Sequence, residues 1–271
     1  MKISKLHATG NDFLVRVSDD PDDMLDALTV AALCDRHRGI GADGLITIGA
    51  GGPAHDCSML LQNADGGVAE MSGNGVRCLA AVARRHGLGT ATRLVVATGG
   101  GRRDLELETD SSGAVIAAAV DMGPAQFGAI EHFELDGTPW AGQVVDMGNP
   151  HVVFEVDDPD AIDLARWGPT IEHDARFPQR TNVEFARARD RSTIAMRVWE
   201  RGVGETLSCG TGVCATAVAL HRAGHVDAEC SVHVRGGVLR VQLGVHVLLS
   251  GPVVHVFDVD IDRDQLVNAL R

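Results

Sequence analysis

Two stretches of this 271-residue chain are near copies of each other. Met71-Ser72-Gly73-Asn74-Gly75-Val76-Arg77-Cys78 runs into an alanine-rich segment that should stop at Gly87. Ser208-Cys209-Gly210-Thr211-Gly212-Val213-Cys214-Ala215 runs into a second that should stop at Gly224. In each, a small nucleophilic side chain precedes Gly-polar-Gly and a helix, at an offset of 137 residues. Gly10-Asn11 and Gly148-Asn149 are 138 apart, each between two strand-like segments. Asn63 and Glu200 are 137 apart, each ending the segment that leads into the Gly-polar-Gly loop. Chance similarity of glycine-rich turns is the bland alternative, and four matched landmarks argue against it. The pattern predicts two similar α/β domains, one per half. It also suggests one active site built from two facing halves, with a hydroxyl on one copy and a thiol on the other.

Periodicity fills in the elements. Residues 3–17 read as strands around a polar break at 8–12. Residues 21–38 read as a helix with Pro21 in its first turn, Leu25, Leu28 and Ala32 on one face, and Gly39 at its end. Strands are expected at 45–48, 57–61, 94–98, 103–108 and 115–121, with a helix over 75–86. The pattern restarts with strands at 144–147 and 152–156, a helix at 161–168, a strand at 193–199 and a helix at 211–223. Strands at 232–234, 238–243, 246–250 and 253–259 follow, then a C-terminal helix over 262–270.

Composition limits the function classes. A net charge of −13 argues against nucleic acid, because a phosphate-backbone binder needs a basic face. No apolar run reaches 18 residues, so no membrane span is expected. The N-terminal residues carry no secretory pattern, which points to the cytoplasm. Six cysteines without a C-x-x-C pair read as reduced thiols. With no tyrosine and 4% aromatics, aliphatic residues are expected to fill the cores.

Chemistry should concentrate at the duplicated loops. Cys209 immediately precedes Gly-Thr-Gly and a helix, where unpaired N–H groups and the macrodipole favour thiolate. Its pKa is therefore expected below the free value of about 8.5. The same amides suit a substrate carboxylate. The competing reading of Cys209 is a small buried hydrophobe. Ser72 is a good N-cap, and only its pairing with Cys209 makes it a candidate for chemistry. His151 and Glu200 stand near these landmarks as groups that tune a thiol; the competing readings are a satisfied surface or core histidine and one half of a solvated ion pair.

Three motifs fail on context. Gly39-Ile40-Gly41-Ala42-Asp43-Gly44 fits a dinucleotide fingerprint but follows a helix and precedes a strand, the reverse order. His221 and His225 are four apart, but no Glu follows the first and the helix has ended; no metal is expected. Gly99-Gly100-Gly101 lacks the Lys-Ser/Thr of a phosphate loop and reads as a hairpin.

The chain resembles the diaminopimelate epimerases nearly end to end. The resemblance rests on residues 7–13 (His-Ala-Thr-Gly-Asn-Asp-Phe), Arg36 to Gly44, 63–66 (Asn-Ala-Asp-Gly) and 72–78 (Ser-Gly-Asn-Gly-Val-Arg-Cys). It continues through 147–151 (Met-Gly-Asn-Pro-His), 181–185 (Thr-Asn-Val-Glu-Phe), Glu200 to Thr206 and 208–212 (Ser-Cys-Gly-Thr-Gly). It implies a cofactor-independent enzyme interconverting L,L- and meso-diaminopimelate, a step towards lysine and peptidoglycan precursors. Two cysteines would face the α-carbon, one removing a proton and the other returning one; Cys209 matches one and Ser72 holds the other's place. His151 and Glu200 match the residues that adjust thiol pKa values. Asn11, Asn63, Asn149, Asn182, Glu200 and Arg201 match substrate contacts, and Gly73, Asn74, Gly210 and Thr211 match the loops that hold the reacting carboxylate. The implied fold is α/β (α+β): two pseudo-symmetric domains, each a curved, mainly antiparallel sheet around a central helix. The domains expected are 1–117, with 262–271 packing back on it, and 118–261. A homodimer is also implied. Ser72 breaks the pattern and leaves three readings: a hydroxyl made workable by a neighbour, a disabling replacement, or a related racemase with another substrate.

Overall fold

The computed structural model describes residues 1–20 and 23–262. Its described residues divide into two compact units, one made of residues up to 120 with 251–262, the other of residues 121–250.

The first unit opens with β1 (Lys2–Ala8) and β2 (Asn11–Val17), an antiparallel pair. Thr9 and Gly10 turn the chain between them at φ 49° and 84°, a left-handed geometry that Gly10 adopts without a Cβ clash. Helix α1 (Ala27–Cys34) then crosses to β3 (Gly44–Gly49), which runs parallel to β2. Strand β4 (Cys57–Asn63) returns antiparallel, with the short β5 (Val68–Ala69) on its end. Helix α2 (Gly73–Arg85) makes the second crossover, to β6 (Arg93–Thr98), parallel to β4. Strands β7 (Gly101–Thr109) and β8 (Val115–Asp121) complete an antiparallel run.

The second unit begins with β9 (Gln126–Leu135) and then repeats the plan. Strands β10 (Thr138–Asp146) and β11 (Pro150–Glu155) are antiparallel, and Gly148 turns between them at φ 91°. Helix α3 (Leu164–Glu172) crosses to β12 (Asn182–Asp190), parallel to β11. Strand β13 (Thr193–Glu200) returns, and the short β14 (Gly204–Thr206) folds on its end. Helix α4 (Gly210–Arg222) crosses to β15 (Glu229–Val234), parallel to β13, and β16 (Gly237–Leu243) and β17 (Val247–Pro252) follow antiparallel. The pairing senses match step for step, and each parallel pair has the helical crossover it requires. The 137-residue sequence repeat is thus a repeat of topology. The last strand, β18 (Val254–Asp260), lies antiparallel on β1 in the first unit, not in the 118–261 half where the sequence reading put it.

Each unit wraps its sheet on one helix. Residues 73–83 of α2 are all buried, as is most of α4 from Gly210 to Leu220, so both helices are enclosed round most of their circumference. Helix α2 packs on β1 to β4, and α4 packs on β10 to β13 and on β15 and β16.

Several expectations change. Helix α1 starts at Ala27, because Asp26 caps it by accepting from Thr29 N–H at 2.9 Å; Pro21 lies outside the described residues. Leu28 is 71% exposed, so the buried face of α1 is Thr29, Val30, Ala32, Leu33 and Cys34, with Leu25 buried just ahead of the helix. The helix expected at 161–168 is a 3-10 turn at Pro159–Ala161 followed by α3. Strands β9 and β12 were not foreseen, and the helix over 262–270 falls almost wholly outside the described residues. Aromatics are scarce but concentrated: Phe133, Phe154 and Phe185 lie in the core beneath α3, with Trp140 and Phe177 against them. The first unit's core around Ile3, Leu14, Leu33 and Leu45 is aliphatic as expected.

Candidate active site

In the second unit the candidate residues converge on the first turn of α4. Cys209 is the N-cap, with extended backbone at φ −119° and ψ 114°, and its side chain makes no capping bond. Its Sγ lies 3.5 Å from Thr211 Oγ1, which accepts from Asn149 Nδ2 at 3.3 Å. Asn149 Oδ1 is 3.1 Å from His151 Nε2, and His151 Nδ1 is 2.7 Å from Glu184 Oε1. Glu200, at the end of β13, accepts from the Thr206 hydroxyl and also meets the Cys209 thiol.

The electrostatics overturn the expected thiolate. Burial pushes the Cys209 thiol well above its ordinary value, and the carboxylates of Glu200 and Glu184 push it further. The Thr211 hydroxyl and the Gly212 N–H pull the other way and lose. Helix-end stabilisation falls off quickly and is worth about 0.3–2 kcal/mol, less than desolvating a thiolate beside two carboxylates. Glu200 is also raised, first by burial and then by Glu184, against the hydrogen bonds from Thr206 and Cys209. Burial therefore favours the protonated form of both the thiol and the carboxyl in this site.

Asn182 and Arg201 sit at the β13 end of this site. The Asn182 side chain accepts from Arg201 N–H at 2.9 Å and donates to the Pro150 carbonyl at 2.9 Å, so it ties β11 to the turn after Glu200. The Arg201 side chain is exposed and donates to the Gln179 carbonyl at 3.1 Å. Glu172, buried and unnoticed in the sequence, accepts from Trp199 Nε1 at 2.7 Å and from Gly202 N–H at 2.9 Å. It clamps both sides of the Glu200-Arg201 turn.

The first unit builds the matching helix end. Ser72 caps α2, its Oγ accepting from Gly75 N–H at 3.0 Å. Asn74 donates to Asn11 Oδ1 at 3.2 Å and accepts from the buried Arg77 at 2.6 Å. Asn11 Nδ2 in turn donates to Asp43 Oδ2 at 2.6 Å, and Arg36 bonds both Asp43 and Asp12. Burial opposes the charge on Asp12, but hydrogen bonds from Arg36 and Lys5 hold its carboxyl down at about 2. Gly73 is buried in the first turn, and Asn63 is exposed at the end of β4. Sequence reasoning missed Lys5, Asp12 and Asp43 as a support for Asn11. The clue was the density of charge in the motifs at 7–13 and 36–44.

The motifs rejected on context have other duties. Gly99 to Gly101 form the β6–β7 turn, closed by Thr98 Oγ1 donating to Gly101 O at 2.6 Å. His221 bonds the Val226 carbonyl and His225 pairs with Glu155. All six cysteines are buried.

Comparison with known proteins gives a consistent answer. The diaminopimelate epimerase family model matches residues 3–128 and 143–255. The diaminopimelate epimerase of Agathobacter rectalis is 40% identical over 97% of this chain and 99% of its own length. That of Synechococcus elongatus is 38% identical over 95% and 96%. Among solved structures, a hydroxyproline epimerase from Agrobacterium vitis superposes with a TM-score of 0.74 at 14% identity, over 96% of this chain and 90% of that one. A predicted epimerase from Pseudomonas aeruginosa gives 0.71 at 18% identity, over 96% and 98%. These two share the fold. A shared fold with remote epimerases, a family match across both units and near-complete alignment with the bacterial enzymes agree: the chain belongs to the diaminopimelate epimerase family.

Proposed function

We propose that this chain interconverts L,L- and meso-diaminopimelate by proton transfer at the α-carbon, without a cofactor, with Cys209 and Ser72 as the transferring side chains. The observation that carries this is the Cys209 thiol, buried at the N-cap of α4 and in contact with Glu200, in a chain whose family match spans both units. Inversion needs a base on one face of the carbon and an acid on the other, and each unit supplies one helix N-terminus.

The chemistry starts from a protonated thiol. Glu200 takes the proton from Cys209 Sγ, so the site's net charge is unchanged: thiol and carboxylate become thiolate and carboxylic acid. The thiolate removes the α-proton, and the electron pair left on carbon delocalises into the adjoining carboxylate. First-turn N–H groups of a helix, which lack intrahelical carbonyls, stabilise that charge. The Ser72 hydroxyl then donates its proton to the opposite face of the carbon and must recover one before the next turnover. A hydroxyl is a far weaker acid than a thiol, so this arm limits the rate. Asn11, Asn63, Asn74, Asn149, Asn182 and Arg201 are assigned to substrate recognition, with Gly73, Gly210 and Thr211 at the reacting carboxylate and His151 tuning Cys209.

Incubation with L,L-diaminopimelate in D₂O, followed by NMR of the α-protons, tests this. Deuterium incorporation and meso product that vanish in Cys209→Ala are expected, with exchange outrunning inversion. A Ser72→Cys variant that turns over while the native chain is silent identifies a binding-competent but impaired enzyme, the reading Ser72 itself favours. Substrate binding without exchange in either form overturns the proposal. The reading includes a cytoplasmic homodimer; light scattering on the purified chain measures the assembly. Among the described residues no helix is long and apolar enough to cross a membrane.

A further inference from the structure

The β2–β3 and β11–β12 pairings share one register, and one slot in them is filled differently beneath the two central helices. In the first unit Phe13 on β2 stands opposite Gly44 on β3; in the second His151 on β11 stands opposite Asn182 on β12. Phe13 therefore corresponds to His151, and Ile46, two residues beyond Gly44, to Glu184, two beyond Asn182. Both pairs are buried, and Ile46 and Glu184 lie under the first turn of the central helix. A Cβ on Gly75 would meet Ile46 Cδ1 at 3.1 Å; a Cβ on the corresponding Gly212 would meet Glu184 Oε1 at 2.6 Å. The same structural slot holds an apolar pair beneath Ser72's helix and a histidine–carboxylate pair beneath Cys209's.

Packing does not require the polar pair, since the first unit fills the slot with Phe13 and Ile46. Stability does not favour it either. Glu184 and His151 are both 0% exposed, and Glu184 Oε2 has no hydrogen-bond partner among the described residues. Buried ionisable pairs commonly stabilise a fold no better than apolar residues of similar volume, and an unsatisfied buried acceptor costs more. The pair does connect to the thiol. From Glu184 the contacts run to His151 Nδ1, from Nε2 to Asn149, from Asn149 to Thr211, and from Thr211 to Cys209 Sγ.

We propose that Glu184 is a positioning residue for the Cys209 arm: its carboxylate holds the Nδ1–H of His151, which fixes the ring and presents Nε2 towards Asn149 and the thiol. A carboxylate behind an imidazole commonly sets which nitrogen carries the proton. The kinetic part rests on the epimerase reading; the placement of His151 does not. Glu184→Gln keeps the shape and removes the charge. It is expected to leave KM within about twofold while lowering kcat at least about tenfold, within the range of acid–base contributions. In ¹⁵N spectra of the His151 ring, the native chain should show protonated Nδ1, and the variant should lose that preference. The double variant His151→Phe/Glu184→Ile copies the first unit's pair; it should stay folded, bind diaminopimelate and not turn over. Glu184→Gln with native kcat, an unchanged His151 ring spectrum, or native turnover in the double variant would overturn the proposal. If neither the native chain nor Ser72→Cys exchanges an α-proton, the epimerase reading falls and the ring spectra alone decide the role of Glu184.

Discussion

At the scale of single residues, Ser72 and Cys209 occupy equivalent N-caps but do different work. Ser72 Oγ accepts a first-turn N–H, and Cys209 makes no capping bond. Ser72→Cys should therefore lower stability by about 1 kcal/mol, the usual worth of a serine cap, while raising turnover, because a thiol returns to its base form more easily. Urea denaturation and the exchange assay on one preparation measure both. Glu200 gives a second test. Its folded-state pKa is raised, so the stability linked to it is full below the unfolded value and is lost as pH rises through the folded value. Glu200→Gln retains an acceptor for Thr206 without the charge. Melting curves from pH 4 to 8 should show the variant gaining on the native chain as pH rises; parallel curves would contradict the raised value. The identity of these residues was legible from the repeated motifs. The direction of the Cys209 shift was not, because Glu184 is 25 positions away in sequence and only strand pairing brings its charge to the sulfur.

At the scale of elements, the two central helices invite a matched comparison. Gly75 and Gly212 hold the same position, but an added methyl at Gly75 presses on the flexible ends of Ile46 and Met59, whereas at Gly212 it strikes a buried carboxylate at 2.6 Å. Gly212→Ala is expected to cost about 1–3 kcal/mol, as overpacking does. Gly75→Ala should be near neutral, its crowding offset by a helix-propensity gain of up to about 1 kcal/mol. Thermal melts of the two variants separate these outcomes, and equal losses would contradict them. Glycine-bounded α2 and α4 were readable because cap, apolar run and stop signal agree. Strand β9 was not: six of its first seven residues are exposed, so it lacks the alternation that marks a half-buried strand, and its pairing with β10 defines it. Helix α1 was overextended because the 21–38 pattern holds acidic residues on both sides, and the Asp26 cap decides where it starts.

At the scale of the whole molecule, duplication explains most of the architecture, and the exception is the path of the last strand. Strand β18 covers the side of β1 away from β2, and Arg85 on α2 bonds Asp258 on it at 2.5 Å. A chain ending at Ser250 should lose protection along Lys2–Ala8, which hydrogen exchange with mass spectrometry reads directly; unchanged exchange there would mean β1 needs no second partner. The repeated glycine and asparagine landmarks, the two buried helices and the family motifs were all carried by local sequence. Each is a short-range pattern in which turn chemistry, capping and apolar spacing reinforce one another. Tertiary structure alone decided that β18 joins the first unit, that His151 rests on Glu184, and that the Cys209 thiol is held protonated. Those outcomes depend on which distant residues share a buried, low-dielectric space. Pairing across a sheet sets that, and no local pattern encodes it.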